Sequence, residues 1–391
     1  MIEFQNVDLV FGKKPERALP LLDKGYDREQ LLDETGLVLG VRDANLKIEK
    51  GEICVLMGLS GSGKSSLIRC VNGLNRITRG KVLIEHEGKS LNFFEANADT
   101  QRAFCMKRIA MVFQKFALMP WLTVAENVAF ALDIQKLPKA EIKRRVDEQL
   151  ALVGLTEWRD HKPSALSGGM QQRVGLARAL ATESDILLMD EPFSALDPLI
   201  RQQLQEELLE LQSRLQKTII FVSHDLDEAL KLGNTIAIMK DGCIVQQGKP
   251  HEIVLSPATP YVEDFVAHTN PLNVLRVQDV CQPMAGQGGN AEPVPIDALA
   301  QYSVDPEQSQ LLHQGKPVDW QRWETLTSPD DLSSKPTLVS PECGFRDAMR
   351  IRQVTGYPVL VEWPDAPCQI VTDELFYQGL LGRHEASTQG S

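Results

Sequence analysis

No uninterrupted apolar run of about 18 residues occurs in the 391-residue chain, so no membrane-spanning helix is expected. The start, MIEFQNVDLVFG, lacks a basic stretch followed by an apolar one; nothing in it suggests export, and a cytoplasmic location is the expectation. No C-x-x-C pair occurs among the seven cysteines (Cys54, Cys70, Cys105, Cys243, Cys281, Cys343, Cys368). Their odd number and wide scatter fit neither a disulfide framework nor a zinc site, and they read as reduced thiols. Basic charge is not in excess either, with 41 Lys and Arg against 53 Asp and Glu and a formal net charge of −12. That balance argues against a nucleic-acid partner, because sequence-independent affinity for a polyanion comes from cations neutralising phosphates. No internal repeat with a period of roughly 20 to 50 residues is found.

What is present has ordinary globular proportions, 43% hydrophobic and 24% charged, in a chain longer than one average domain. Two domains are expected. Residues 271–391 hold 8 basic and 16 acidic side chains, so the acidity is concentrated late. Short apolar runs at Ile53 to Met57, Ile186 to Met189, Thr218 to Val222 and Thr235 to Met239 read as buried strands. Between them, Ile142, Val146, Leu150 and Val153, and likewise Leu204, Leu208, Leu211 and Leu215, recur at helical spacing. This alternation predicts an α/β sheet with a parallel core. Within residues 13–40, Asp27 followed by Gln30 marks a helix start and Gly36 a stop, predicting a small helical insertion. Gln282 to Pro295 (QPMAGQGGNAEPVP) is rich in Gly and Pro without apolar periodicity and reads as a linker. The expected organisation is therefore a domain over 1–270, a linker over 271–295 and a second domain over 296–391.

Three elements carry chemistry. GLSGSGKS, from Gly58 to Ser65, fits G-x-x-x-x-G-K-[ST] directly after a strand and before a helical pattern that opens at Ser66. Gly58, Ser60, Gly61, Ser62 and Gly63 let the backbone turn tightly and aim N–H groups at phosphate oxygens. Lys64 supplies a point charge, and Ser65 an oxygen for Mg²⁺. The strand Ile186 to Met189 then ends in Asp190 and Glu191, placing one carboxylate to hold the metal and one to orient and deprotonate water. Finally, LSGGMQQR, with Ser167, Gly168, Gly169 and Gln171, opens a helical stretch from Val174 to Ala181 and forms a second candidate anion site.

With this third motif the sequence resembles the ATP-binding subunits of ABC transporters over roughly residues 1–270. The resemblance implies a P-loop NTPase fold with a helical signature subdomain (115–180), ATPase activity with ATP and Mg²⁺, and a homodimer in which the P-loop of one copy faces the signature of the other. It also assigns Gln114 in MVFQKFALMP to Mg²⁺ and water, Asp197 in SALDP to the dimer interface, and His224 in FVSHD to the γ-phosphate and attacking water. Phe11 matches the aromatic that stacks on adenine, with packing in a strand core as its alternative.

The 13–40 insertion resembles the glycine betaine/proline/choline importers, and GEICVLMGLSGSGKSSLIRCVNGLN is most similar to their choline branch. That resemblance implies membrane permease partners, a periplasmic substrate-binding protein that selects the ligand, and a peripheral location on the cytoplasmic face of the inner membrane. Phe116 to Val128 (FALMPWLTVAENV) matches the permease-docking segment, with Met119, Pro120 and Trp121 as its apolar contact patch; covering the adjoining helical subdomain is their alternative. Ser340 to Met349, Gly356 to Val361 and Gln369 to Asp373 resemble one CBS repeat, with its companion barely recognisable before it, so the C-terminal α+β domain reads as a degenerate CBS module. Its acidity suits a regulatory domain that responds to ionic strength over a Debye length of about 8 Å, and a packing appendage is the alternative. A soluble ABC ATPase acting on DNA or ribosomes is the rival function. Such proteins usually carry paired cassettes, a long coiled coil or a basic surface, none of which is seen here.

Overall fold

The computed structural model describes residues 1–86, 88–267, 270, 272, 274–281, 294–295, 302–305, 310–324, 328–363 and 366–381. The first half runs β1 (Ile2–Phe11), α1 (Leu19–Asp23), α2 (Arg28–Thr35), β2 (Val38–Ile48), β3 (Ile53–Met57), α3 (Lys64–Val71), β4 (Arg79–His86), β5 (Lys89–Asn92), α4 (Ala98–Lys107) and β6 (Ile109–Val112). It continues with α5 (Val124–Ile134), α6 (Lys139–Leu152), α7 (Gly168–Ala181), β7 (Ile186–Asp190), α8 (Pro198–Leu215), β8 (Thr218–Val222), α9 (Leu226–Leu232), β9 (Thr235–Lys240) and β10 (Cys243–Gly248).

Two sheets result. One has six strands in the order β10-β9-β3-β8-β7-β6, parallel except for the β9–β10 hairpin. The other is antiparallel, in the order β2-β1-β4-β5. Because side chains alternate along a strand, one set from the parallel sheet (Cys54, Leu56, Leu188, Ile220, Val222, Ala237, Met239) faces a common core with Leu67, Ile68 and Val71 of α3 and Ile2, Phe4 and Leu9 of β1. The opposite set, including Val55, Leu187, Phe221 and Ile238, is buried as well. That double burial is why these strands read as continuous apolar runs. All seven cysteines are free thiols, and burial pushes Cys70 up to about 12 and Cys281 up to about 11, which keeps both inert.

The insertion forms α1 and α2. Asp27 and Gln30 make a reciprocal capping box, and Gly36 closes α2 in the left-handed region at φ 69°. Leu31 is fully buried in a separate small core with Val10, Ala18, Leu22, Leu37 and Leu39. Helices α5, α6 and α7 hold the residues of the expected helical subdomain.

Two compact units divide the chain at Pro250 and His251, whereas composition places the break at 271–295. Leu275, Val277, Val280 and Cys281 join the core of the C-terminal unit with Phe345, Ile351 and Val359, so the stretch before the glycine-rich run already belongs to it. Most of the expected linker, residues 282–293, lies outside the described residues. In the C-terminal unit, β11 (Val294–Pro295), β12 (Tyr302–Asp305), β13 (Gln310–His313) and β14 (Lys316–Pro317) pair antiparallel. A second sheet, β15 (Gln321–Arg322), β16 (Thr337–Val339), β17 (Val359–Trp363) and β18 (Ala366–Val371), carries the helix Phe345–Thr355 between its parallel strands β16 and β17. No helix among the described residues is long and apolar enough to cross a membrane.

Leu31→Ala removes the centre of the small core and should cost about 2–4 kcal/mol locally. Amide hydrogen exchange should accelerate across residues 15–37 while amides of β3 and β8 keep their protection. Equal acceleration throughout would show that the insertion is not a separate cluster.

Candidate active site

Strand β3 ends at Met57, and the chain must reverse into α3 within six residues, beneath β9 on one side and beside β2 on the other. Gly58 (φ 138°) and Gly63 (φ 105°) make this possible, since a Cβ at Gly58 would lie 2.1 Å from the Met239 carbonyl oxygen and one at Gly63 would lie 2.4 Å from that of Gly40. Ser60 and Gly61 are exposed at the tip, whereas Ser62 is buried. Lys64 is buried, and its ammonium donates to the carbonyls of Gly58 (2.7 Å) and Leu59 (2.9 Å) across the loop. Burial pushes the Lys64 ammonium below its ordinary pKa, while the Glu191 and Asp190 carboxylates draw it upward. Ser66 lies in the first turn of α3, and its carbonyl accepts from Asn75 at 2.9 Å.

Asp190 is fully buried at the end of β7 and has a partner on each oxygen. Ser65 Oγ donates to Oδ1 at 2.6 Å, and Arg69 Nη2 donates to Oδ2 at 2.8 Å. Ser65 and Arg69 stand four apart on α3 and so share one helix face. Glu191 follows with a left-handed backbone, φ 49°, strained for a side chain with a Cβ. Its carboxylate accepts from Gln114 Nε2 at 3.0 Å and lies 3.7 Å from His224 Nδ1. His224 is exposed, but its neighbours are fixed: Ser223 Oγ donates to the buried Glu228 carboxylate, and Asp225 caps α9 and pairs with Arg201 at 3.5 Å. Burial raises the Glu228 pKa against the opposing hydrogen bonds from Ser223 and Gln205.

The structure thus brings Lys64, Ser65, Gln114, Asp190, Glu191 and His224 together at the carboxyl ends of β3, β6, β7 and β8. The signature residues stand apart, and none is a side-chain partner of Lys64 or Ser65. Ser167 caps α7 by accepting from Met170 N at 3.3 Å, and Gly168 faces open space. A Cβ at Gly169 would press on the Ala195 carbonyl oxygen at 3.2 Å. Gln171 donates to the carbonyls of Pro163 (3.0 Å) and Leu166 (3.2 Å), bracing the approach to α7. Asp197 caps α8 by accepting from Ile200 N at 3.0 Å. Phe11 is 39% exposed at the end of β1, so its ring is not part of a strand core. Pro120 and Trp121 are exposed and Met119 is half-buried, with Asn127 accepting from the Met119 N–H and donating to its carbonyl.

Sequence reasoning missed three residues that shape this site. Arg69 was detectable as the residue one turn beyond Ser65 on the same face of α3, where it too reaches Asp190. Gln172, buried in the signature helix, donates to the Glu191 carbonyl and accepts from Ala195 N, both at 3.1 Å. Arg178 on the same helix donates to the carbonyls of Phe116 (2.9 Å) and Ala117 (2.7 Å), two residues with left-handed backbone that follow Gln114. Nothing in spacing alone marks either residue, because each acts on the backbone of a distant loop.

Comparison with known proteins gives a consistent set. Residues 41–194 match the family described as ABC transporter. The glycine betaine/proline betaine transport system ATP-binding protein ProV of Salmonella typhimurium is 48% identical over 281 residues, covering 72% of this chain and 69% of that one. The trimethylamine N-oxide transport system ATP-binding protein TmoW of Pelagibacter ubique is 44% identical over 282 residues, covering 72% and 81%. Among solved structures, the dimeric ABC transporter cassette MJ0796 superposes with a TM-score of 0.55 at 31% identity, over 64% of this chain and 99% of that one. A post-hydrolysis state of the same cassette bound to ADP and Pi superposes at 0.54.

Removing the Gln172 clamp should release Glu191 from its backbone position. Gln172→Ala is expected to lower kcat for nucleotide hydrolysis about 10- to 100-fold, the scale of a misplaced catalytic group, with nucleotide affinity changed less than about threefold. Steady-state kinetics beside equilibrium nucleotide binding checks this. Unchanged kcat, or equal losses in both, contradicts it.

Proposed function

Because the chain belongs to the ABC transporter family, as an ATP-hydrolysing subunit of the glycine betaine/proline betaine import group, we propose that it powers import of a quaternary amine, choline first and glycine betaine or proline betaine next. The catalytic reading is carried by one observation, the convergence of Lys64, Ser65, Gln114, Asp190, Glu191 and His224 on one end of the parallel sheet. Choline rests on the resemblance of the segment around the P-loop to that branch. The trimethylamine N-oxide relatives favour a methylated ammonium ligand in general.

In this reading the triphosphate lies over the backbone N–H groups of Gly58 to Ser65 and the N-terminus of α3, with Lys64 at its terminal phosphates and Phe11 against the adenine. Mg²⁺ suits the donors present: the Ser65 hydroxyl and Asp190 carboxylate are hard oxygens 2.6 Å apart, with Gln114 bonded to the adjoining Glu191. No group of three or more His, Cys, Asp or Glu among the described residues could hold a metal alone, so phosphate and water would complete the shell. Bound there, the ion would neutralise charge developing on the phosphates. Glu191 takes the proton of the attacking water, and Gln114 and His224 flank its carboxylate and hold it in line.

Ser167, Gly168 and Gly169 of a second copy would close over the phosphates, with Gln171 bracing the motif and Asp197 at the shared face. Closing and reopening would drive a membrane permease through Met119, Pro120 and Trp121. The subunit would then sit on the cytoplasmic face of the inner membrane, and a periplasmic binding protein would choose the ligand. A soluble ABC ATPase acting on DNA or ribosomes finds no support in the net charge of −12.

Glu191→Gln should keep ATP binding and lower hydrolysis by about 10³-fold or more, leaving a stable ATP-bound dimer in gel filtration. Normal turnover would remove Glu191 from its role. In cells carrying this subunit with its permease and binding protein, radiolabelled choline should accumulate in preference to glycine betaine, and Lys64→Ala should abolish uptake. Preferential uptake of glycine betaine would move the substrate to that ligand.

A further inference from the structure

The segment between β1 and β2 reaches the phosphate-binding loop. Arg28, the first residue of α2, is half-buried and donates from Nη1 to the Gly61 carbonyl oxygen at 2.7 Å. The same guanidinium nitrogen lies 4.0 Å from the place a Gly61 Cβ would take, and apart from Gly61 and its two chain neighbours no other atom comes so near. This arginine is not on a loose tether. The capping box of Asp27 and Gln30 fixes the first turn of α2, Leu31 anchors the helix in its own small core, and Gly36 ends it. From β2, Arg42 donates to the carbonyls of Tyr26 and Leu22, each at 3.1 Å, and ties the start of α2 to the main body. A side chain on so fixed a base gives up little conformational entropy when it makes its bond.

We propose that Arg28 is a nucleotide-positioning residue and that the 13–40 insertion is a working wall of the ATP site. A peptide carbonyl pointing toward a polyanion repels it, so a loop that binds one must keep that oxygen turned aside. Arg28 holds the Gly61 carbonyl outward at the exposed tip of the loop and neutralises its negative end. Lys64 serves the phosphates from inside the loop, and Arg28 adds a second cation from outside it. This contribution grows with the number of phosphates and weakens as salt screens it. The inference rests on the reading of Gly58 to Ser65 as the triphosphate cradle and extends it to a residue outside the motif.

The test uses the full-length protein and its Arg28→Ala, Arg28→Gln and Arg28→Lys variants, with equilibrium binding of ATP, ADP and AMP and steady-state hydrolysis at low and high salt. Arg28→Ala should raise both Kd and KM for ATP about five- to tenfold, with kcat at saturation within about twofold of wild type. The loss should be smaller for ADP, absent for AMP and reduced at high salt. Arg28→Lys should recover most of the affinity, and Arg28→Gln, which can donate but carries no charge, less. ATP affinity unchanged in Arg28→Ala, a fall in kcat alone, or equal losses for ATP and AMP would overturn the proposal. If Arg28→Ala does not fold, the Lys and Gln variants decide: Gln weaker than Lys supports the charge, and equal affinities overturn it. Failure of the wild type to bind ATP would instead sink the nucleotide reading of the whole site.

Discussion

A carboxylate fully removed from water costs several kcal/mol unless charged or donating groups meet both of its oxygens. Asp190 is in that position, and the groups that meet it, Ser65 and Arg69, come from one face of α3. Satisfying them fixes the rotation of α3 and its distance from β7. With α3 fixed, Lys64 can only lie across the loop it bridges, and the loop can only turn where Gly58 and Gly63 permit it. The buried carboxylate thus sets the geometry on which both the anion cradle and the placement of Glu191 depend.

Glu191 and the pair Phe116 and Ala117 adopt left-handed backbone without being glycine, at a cost on the order of 1–3 kcal/mol each. Both strained loops are held by the same helix. Gln172 grips the backbone at Glu191 and Ala195, and Arg178 grips the two carbonyls just beyond Gln114. Helix α7 begins with Ser167, Gly168 and Gly169, so one rigid rod joins the signature to both loops that carry Gln114 and Glu191. In the proposed dimer, α7 is the element that joins the signature to the loops of Gln114 and Glu191 in its own copy.

Much of this was legible in the sequence because its signals are local. A strand buried on both faces leaves a run such as Ile219 to Val222, a phosphate loop leaves its glycines and Lys64, and α2 announces itself through Asp27, Gln30 and Gly36. The illegible parts are those made by long-range backbone contact. Gln172 acts on a carbonyl 19 residues away and Arg178 on one 61 residues away, and no periodicity marks such partners. Composition and packing divide the chain at different places for a related reason: Leu275, Val277 and Val280 precede the composition break, yet their core partners, Phe345 among them, lie far downstream. The companion CBS copy, expected before Ser340, falls partly outside the described residues, and those described at 294–295, 302–305 and 310–317 pair as a small antiparallel sheet.

At the centre of the account is a pocket divided between two copies, and mixing two inactive proteins tests it most directly. Lys64→Ala spoils the cradle and leaves the signature intact; Ser167→Phe does the reverse. Each alone should be silent. Mixed in equal amounts before ATP is added, they should regain hydrolysis toward about a quarter of the wild-type rate, since half of the pairs would hold one intact composite site. A mixture as inactive as its components, with heterodimers present by cross-linking, would contradict the shared pocket.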